Sequence, residues 1–226
     1  MRPMVPADVS ECVRIHLACF PQSFLSSLGS GFLKTYYEGV ARSDQAISIV
    51  CESNDQLIGF VVGFTDPRKC YLYLLRTRSL RFCLTSLAAV VRNPIIVPRL
   101  LRALTYPSST PSGNERVLLS SIAVLPLFRR QGVGTSLVKG FLMEAAARGG
   151  SGVYLGVKRD DSKSITFYRN LEFCETHEIA NPGNGDSILM ARALLPVGAG
   201  GGQQVQVFPP PGQDIHHRDK FGEALD

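Results

Sequence analysis

Ser120–Thr135 reads SSIAVLPLFRRQGVGT: a buried strand, a turn broken by proline, a basic glycine-rich loop and the start of a helix. The β-branched and apolar run Val117–Val124 has strand character, and Pro126 prevents its simple continuation because it fixes φ and lacks an N–H. Gly132 and Gly134 permit dihedrals and close approaches that a Cβ would hinder. Thr135 through Arg148 carries enough Leu, Phe, Met and Ala for a helix, with Leu137, Val138, Phe141, Leu142 and Ala145 facing inward; Gly149-Gly150 ends it. Backbone N–H groups free in such a loop and helix N-terminus form a cradle for an anion, and Arg129 and Arg130 add charge. The expected guest is a phosphorylated ligand.

The 226 residues allow one domain of ordinary size with additions. An apolar content of 45% and a charged content of 19% suit a soluble chain with a real core. The net charge of +5 favours an anionic ligand or surface but does not argue for nucleic acid, since no aromatic–basic module or zinc-finger spacing is present. Six cysteines without CxxC pairs fit a reducing compartment. Cys12, His16 and Cys19 are spaced as metal ligands could be, yet one helix places them without any ion; no metal is expected. The N-terminus turns polar and acidic before an apolar run develops, and no stretch reaches the roughly 18 apolar residues of a membrane span. A cytoplasmic protein, in contact with a membrane surface at most, is expected.

Along the chain, Met1–Val5 supplies a short edge strand. Asp8 is placed to cap a helix, with Glu11 in capping-box spacing and Val9, Val13, Leu17 and Phe20 at helical intervals. A second helix starts near Leu28 and covers Phe32, Leu33, Tyr36 and Tyr37. Ala46–Cys51 and Leu57–Phe64 form a hairpin, its second strand interrupted by Gly59 and Gly63. Residues 67–114 contain eight Arg or Lys and no Asp or Glu. Within them Leu80, Leu84, Leu87 and Val91 fall on one helical stripe, with Arg78, Arg81 and Arg92 off it. That stripe caps the sheet or an acceptor cleft, or rests with its arginines on an anionic membrane face along residues 67–104; alternatively the arginines attract an anionic acceptor. Ser151–Val157 is a strand, Ser162–Arg169 a short helix capped by Asp161, and Phe173–Glu178 and Ser187–Leu195 are antiparallel strands. Residues 196–226 bury too little apolar surface to offset their ordering entropy and read as a disordered tail.

Arg129-Arg130-Gln131-Gly132-Val133-Gly134 resembles the Arg/Gln-x-x-Gly-x-Gly/Ala signature of the GCN5-related N-acetyltransferases (GNAT), and the preceding AVLP is similar to their lead-in. Asp161-x-x-Ser164-x-x-Phe167-Tyr168-x-x-x-x-Phe173 resembles the family's Asn-x-x-Ala-x-x-Phe-Tyr-x-x-x-Gly-Phe. The resemblance implies an α/β (α+β) fold over residues 1–195, a mixed, mostly antiparallel sheet flanked by helices, with its fourth and fifth strands splayed. It leaves the basic insertion at about 67–114 and the tail unexplained.

By that resemblance, acetyl-CoA enters the gap, with Ile122, Ala123 and Val124 facing its pantetheine arm. The main chain of Arg130, Gln131, Gly132, Val133, Gly134 and Thr135, with Arg129 beside it, holds the pyrophosphate. Asp161, where the family has asparagine, lies near the cofactor. The implied reaction is attack of an amine of a small molecule, amino sugar or protein on the thioester in a ternary complex. Tyr168 is the implied proton donor, unless it and Phe167 only pack. Phe24, Tyr36 and Tyr37 line an acceptor pocket or pack a helix on the sheet. No glutamate stands at the family's usual base positions, where this chain has Gly156, Ser120 and Ser121; Glu115, Glu175 and His177 are candidates, His177 best by intrinsic pKa, and a water chain is the alternative. Glu172 replaces the usual glycine before Phe173, which suggests a different local turn. The competing reading is a non-catalytic acyl-CoA-binding or sensor module of the same fold.

Overall fold

Asn54 and Asp55 both adopt left-handed backbone, φ 49° and 59°, the conformation of a tight turn between twisted antiparallel strands. They join β2 (Ala46–Ser53) to β3 (Gln56–Phe64), the hairpin expected from the sequence. The computed structural model describes residues 1–92, 116–176 and 187–194. Among them β1 (Arg2–Pro3), β4 (Arg116–Val124), β5 (Gly152–Lys158), β6 (Cys174–Thr176) and β7 (Ser187–Ala193) complete one sheet in the order β1-β2-β3-β4-β5-β7-β6. Every neighbouring pair is antiparallel except β4 with β5.

Alternating side chains feed two cores. On one face Val50, Phe60, Val62 and Phe64 meet α1 (Val9–Cys19), α3 (Ser30–Val40) and α4 (Pro67–Arg92); the short α2 (Phe24–Ser27) lies between the first two. On the other, Ile47, Val61, Val117 and Leu119 meet α5 (Val133–Ala147) and α6 (Ser162–Arg169). The five α5 residues expected to point inward are all buried, each large one contributing about 2 kcal/mol. Gly63 lets α5 approach: a Cβ there would stand 2.3 Å from the Phe141 ring and 2.2 Å from the Leu118 carbonyl.

The N-terminus differs from expectation by one turn. Pro6–Asp8 is a 3-10 turn leading into α1, so Asp8 is already helical. Its carboxylate reaches back to the Val5 N–H at 2.8 Å and accepts two bonds from Arg2, at 2.7 and 2.8 Å. Glu11 instead pairs with Arg14.

The larger correction concerns α4. Asp66 caps it by accepting the Lys69 N–H at 2.8 Å, and Pro67 occupies the first turn, where its missing N–H costs nothing. The buried row is Cys70, Leu74 and Arg78, whereas Leu80, Leu84 and Val91 face solvent; the Leu87 side chain lies outside the described residues. Of the placements expected for the leucine stripe, the cap on the sheet is not observed at the described side chains. Arg78 goes inside because Glu38 of α3 meets it at 2.7 Å, and Glu38 also bonds Arg81 at 3.4 Å. Small residues on α3 make the approach close: a Cβ on Gly39 would stand 2.1 Å from Leu74, and one on Gly31 3.3 Å from Thr85. The rest of the insertion and the tail lie outside the described residues.

Two predictions follow from these ion pairs. Glu38→Ala strands Arg78 without its carboxylate and costs on the order of 2–3 kcal/mol, to be read from urea unfolding; a loss below a few tenths would show that α3 and α4 are held by apolar contact alone. The Arg2 guanidinium is the main cause of an Asp8 pKa held below the ordinary carboxylate value. Its contribution is therefore complete above about pH 4 and is lost as pH falls through the lowered value. Asp8→Asn is expected to lower stability at neutral pH, the deficit vanishing in acid.

Candidate active site

β4 and β5 hold together only at their beginnings. Arg116, Val117 and Leu118 pair with Gly152, Val153 and Tyr154, and beyond those three pairs the strands are not joined to each other. On its other edge β4 remains tied to β3, but Val62 pairs with Ser121 and Gly63 with Leu119, so Ser120 is an extra residue, a β-bulge. The bulge bends β4 away from β5 and resets which peptide groups face the gap. The Leu125 N–H donates to Ile58 O at 2.9 Å, so Leu125 faces β3. By alternation Ile122 and Val124 present their N–H and C=O to the gap. Val124 O accepts there from Arg129 Nε at 2.9 Å and from the Cys19 thiol at 3.4 Å. Ala123, expected beside them, turns its main chain to Phe60 of β3 and its side chain into the core.

At the end of β4 a 3-10 turn, Pro126–Phe128, leads into the basic loop. Arg130 and Gly132 take left-handed conformations, φ 64° and 80°. Gly132 is the N-cap of α5 and offers no side-chain cap. The Ser136 N–H donates to Gly132 O, which leaves the N–H groups of Val133, Gly134 and Thr135 without helical partners. Those three donors are aligned with the helix dipole at the place where the sequence predicts an anion cradle. Arg129 and Gln131 shape it: Arg129 rests on Val124 O, and Gln131 Nε2 donates to Leu127 O at 3.0 Å. The Arg130 side chain is exposed and has no partner among the described residues.

α6 closes the other side. Phe167 lies against Gly134, 3.5 Å from where a Cβ would be. Tyr168 is 7% exposed and packs edge-on against Phe167 and Phe173. Its hydroxyl finds no hydrogen-bond partner among the described residues, and burial pushes its pKa well above the usual phenol value. Asp161 caps α6, accepting from the Ser164 N–H at 3.0 Å and its hydroxyl at 2.6 Å, and that hydroxyl is the main cause of its lowered pKa. Glu172 adopts left-handed backbone, φ 63°, with Arg192 on its carboxylate at 2.6 Å.

Across the gap stands the end of α1, fixed by the Cys19 contact with Val124. Neither this contact nor the network behind it was legible in the sequence, because both cross between elements. His16 is 2% exposed; its Nδ1 lies 2.7 Å from Tyr37 Oη and its Nε2 3.3 Å from Ser23 Oγ. Burial lowers its pKa to about 4, so it is neutral at physiological pH. Tyr37 is wholly buried and also packs on Phe60. It is a core residue with no surface to present to an acceptor, while Phe24 and Tyr36 are half-buried.

Of the base candidates, Glu175 is paired with Arg169, and Glu115 and His177 lie outside the described residues. Gly156 is exposed, with open space where a Cβ would sit, and Ser120 is exposed at the bulge. No cluster of His, Cys, Asp or Glu suited to a metal occurs among the described residues, Cys12, His16 and Cys19 included.

A family model described as Acetyltransferase (GNAT) family matches residues 97–173. Among solved structures the chain is similar to SsHAT (TM-score 0.62, 20% identity, 86% of this chain and 97% of the other). It is similar also to aminoglycoside 6'-acetyltransferase type Ii (0.55, 18%, 87% and 96%). A third is the paia N-acetyltransferase from Thermoplasma acidophilum in complex with coenzyme A (0.53, 11%, 85% and 96%). Comparison with curated protein sequences gave no match. The splayed fourth and fifth strands, the bulge and the glycine loop at the head of α5 give this chain the GNAT-family acetyltransferase fold.

Proposed function

We propose that the protein is an acetyl-CoA-dependent N-acetyltransferase acting on a primary amine. The carrying observation is the free edge of β4 running directly into the three unpartnered N–H groups of α5. An amide-bearing pantetheine arm is recognised by a strand edge, and a pyrophosphate by a helix N-terminus. Ile122 and Val124 take the arm, while Val133, Gly134 and Thr135 take the pyrophosphate, with Arg130 available to the phosphates. Arg129 and Cys19 now occupy Val124 O and make room when the arm pairs. Asp161 acts through α6, which it caps, rather than by direct contact.

The bound thioester supplies the electrophilic carbonyl carbon. An amine entering past the end of α1, by Phe24 and Tyr36, attacks it: the N–C bond forms, the C–S bond breaks, and the proton shed by nitrogen ends on the departing thiolate. Tyr168 remains a protonated donor because its pKa is raised. Its hydroxyl hydrogen-bonds the thiolate as charge develops there, an interaction absent from the ground state. His177, which lies outside the described residues, or a water chain takes the proton of the incoming amine.

Two variants test this reading. Gly132→Val forces a β-branched residue into left-handed backbone; it is expected to weaken acetyl-CoA binding at least tenfold in calorimetry while the protein still melts cooperatively. Full affinity in that variant would remove the loop from the site. Tyr168→Phe is expected to keep acetyl-CoA affinity and lose roughly a hundredfold in kcat, measured by thiol release with whichever acceptor a screen of amino sugars, small amines and peptides identifies. Unchanged turnover would leave Tyr168 a packing residue. Acetyl-CoA binding without turnover on any amine would favour the non-catalytic module.

A further inference from the structure

The outer face of α4 carries a row of large apolar side chains among its cations, where a surface helix is ordinarily polar. Leu80, Leu84 and Val91 are 71%, 63% and 75% exposed, and Leu72 is 39% exposed. Leu72, Arg76, Leu80 and Leu84 follow one another at i, i+4, and Val91 comes two turns later, so they share one side. The helix also carries six Arg or Lys and no Asp or Glu. Glu38 takes Arg78 and Arg81, and Asp66 takes Lys69. Arg68 and Arg76 remain exposed and without partners among the described residues.

A second copy fits this face poorly, because a two-fold contact would set two cationic helices without a single Asp or Glu against each other. Nucleic acid or an acidic peptide would satisfy the arginines and leave the leucines in water. An anionic bilayer takes both: leucines enter the acyl boundary while the cations lie among the phosphates. We infer that the outer face of α4 docks the protein on an anionic membrane surface. No described helix is long and apolar enough to cross a membrane, so the contact is peripheral. The far end of α4 packs through Val90 on Leu28 beside Phe24. Docking therefore holds the α1–α3 connection, the side of the gap opposite α6, at the lipid interface. The docking itself stands independently of acetyl transfer.

The test is co-sedimentation of the full chain with phosphatidylcholine vesicles, with and without phosphatidylglycerol, over a range of salt. Binding is expected only with phosphatidylglycerol and is lost as salt rises. Arg68→Gln with Arg76→Gln is expected to weaken it about tenfold or more. Leu80→Gln with Leu84→Gln is expected to do the same, while both pairs, being exposed, melt like the parent. Lys139→Gln with Lys163→Gln, which removes equal charge from α5 and α6, is expected to leave binding in place. Failure to bind at low salt, indifference to both α4 pairs, or equal loss from the lysine pair would overturn the inference. A dimer that the leucine pair makes monomeric, with no vesicle binding, would assign the face to a second copy.

Discussion

The site depends on β4 being joined to β5 for only three residue pairs while staying joined to β3 from Leu118 to Val124. A strand paired on both edges has no peptide groups to offer; a strand paired on one edge has a full row. The bulge at Ser120 makes the difference, because one extra residue bends β4 and reverses which of its peptides face β3. Ile122 and Val124 then meet the gap, and the strand delivers the chain through Pro126 to the α5 N-terminus. Edge and helix end form one continuous polar track beside two apolar cores.

Much of this was legible in the sequence. Pro126, the paired glycines and the apolar rows of α5 decide strand, turn and helix by local stereochemistry, and local rules held there. The parity of β4 was not legible: expecting Ile122, Ala123 and Val124 alike ignored the bulge, whose position only the pairing with Val62 and Gly63 reveals. Nor was the left-handed backbone of Glu172 legible, since glutamate has no preference for it and its ion-pair partner Arg192 comes from β7.

The burial of Arg78 has the same origin. Read alone, the sequence puts Arg78 off the apolar stripe and leaves open whether that stripe caps the sheet or faces outward. Arg78 goes inside because Glu38, forty positions earlier in the sequence, supplies a carboxylate at 2.7 Å, and because Gly31 and Gly39 give α3 a face shallow enough for α4 to approach. Tyr37, for which a pocket or packing on the sheet was expected, takes the packing role. Its hydroxyl is satisfied by His16 on another helix, which lets an aromatic with a polar tip be fully buried.

The central claim is that the free edge of β4 and the N-terminus of α5 are one ligand track. Hydrogen–deuterium exchange of the full chain with and without acetyl-CoA tests it most directly. The amides of Ile122, Val124, Val133, Gly134 and Thr135 are predicted to slow together on adding acetyl-CoA, while Ala123, already bonded to β3, changes little. Unaltered exchange at those five amides, or protection confined to another face of the sheet, would contradict the account.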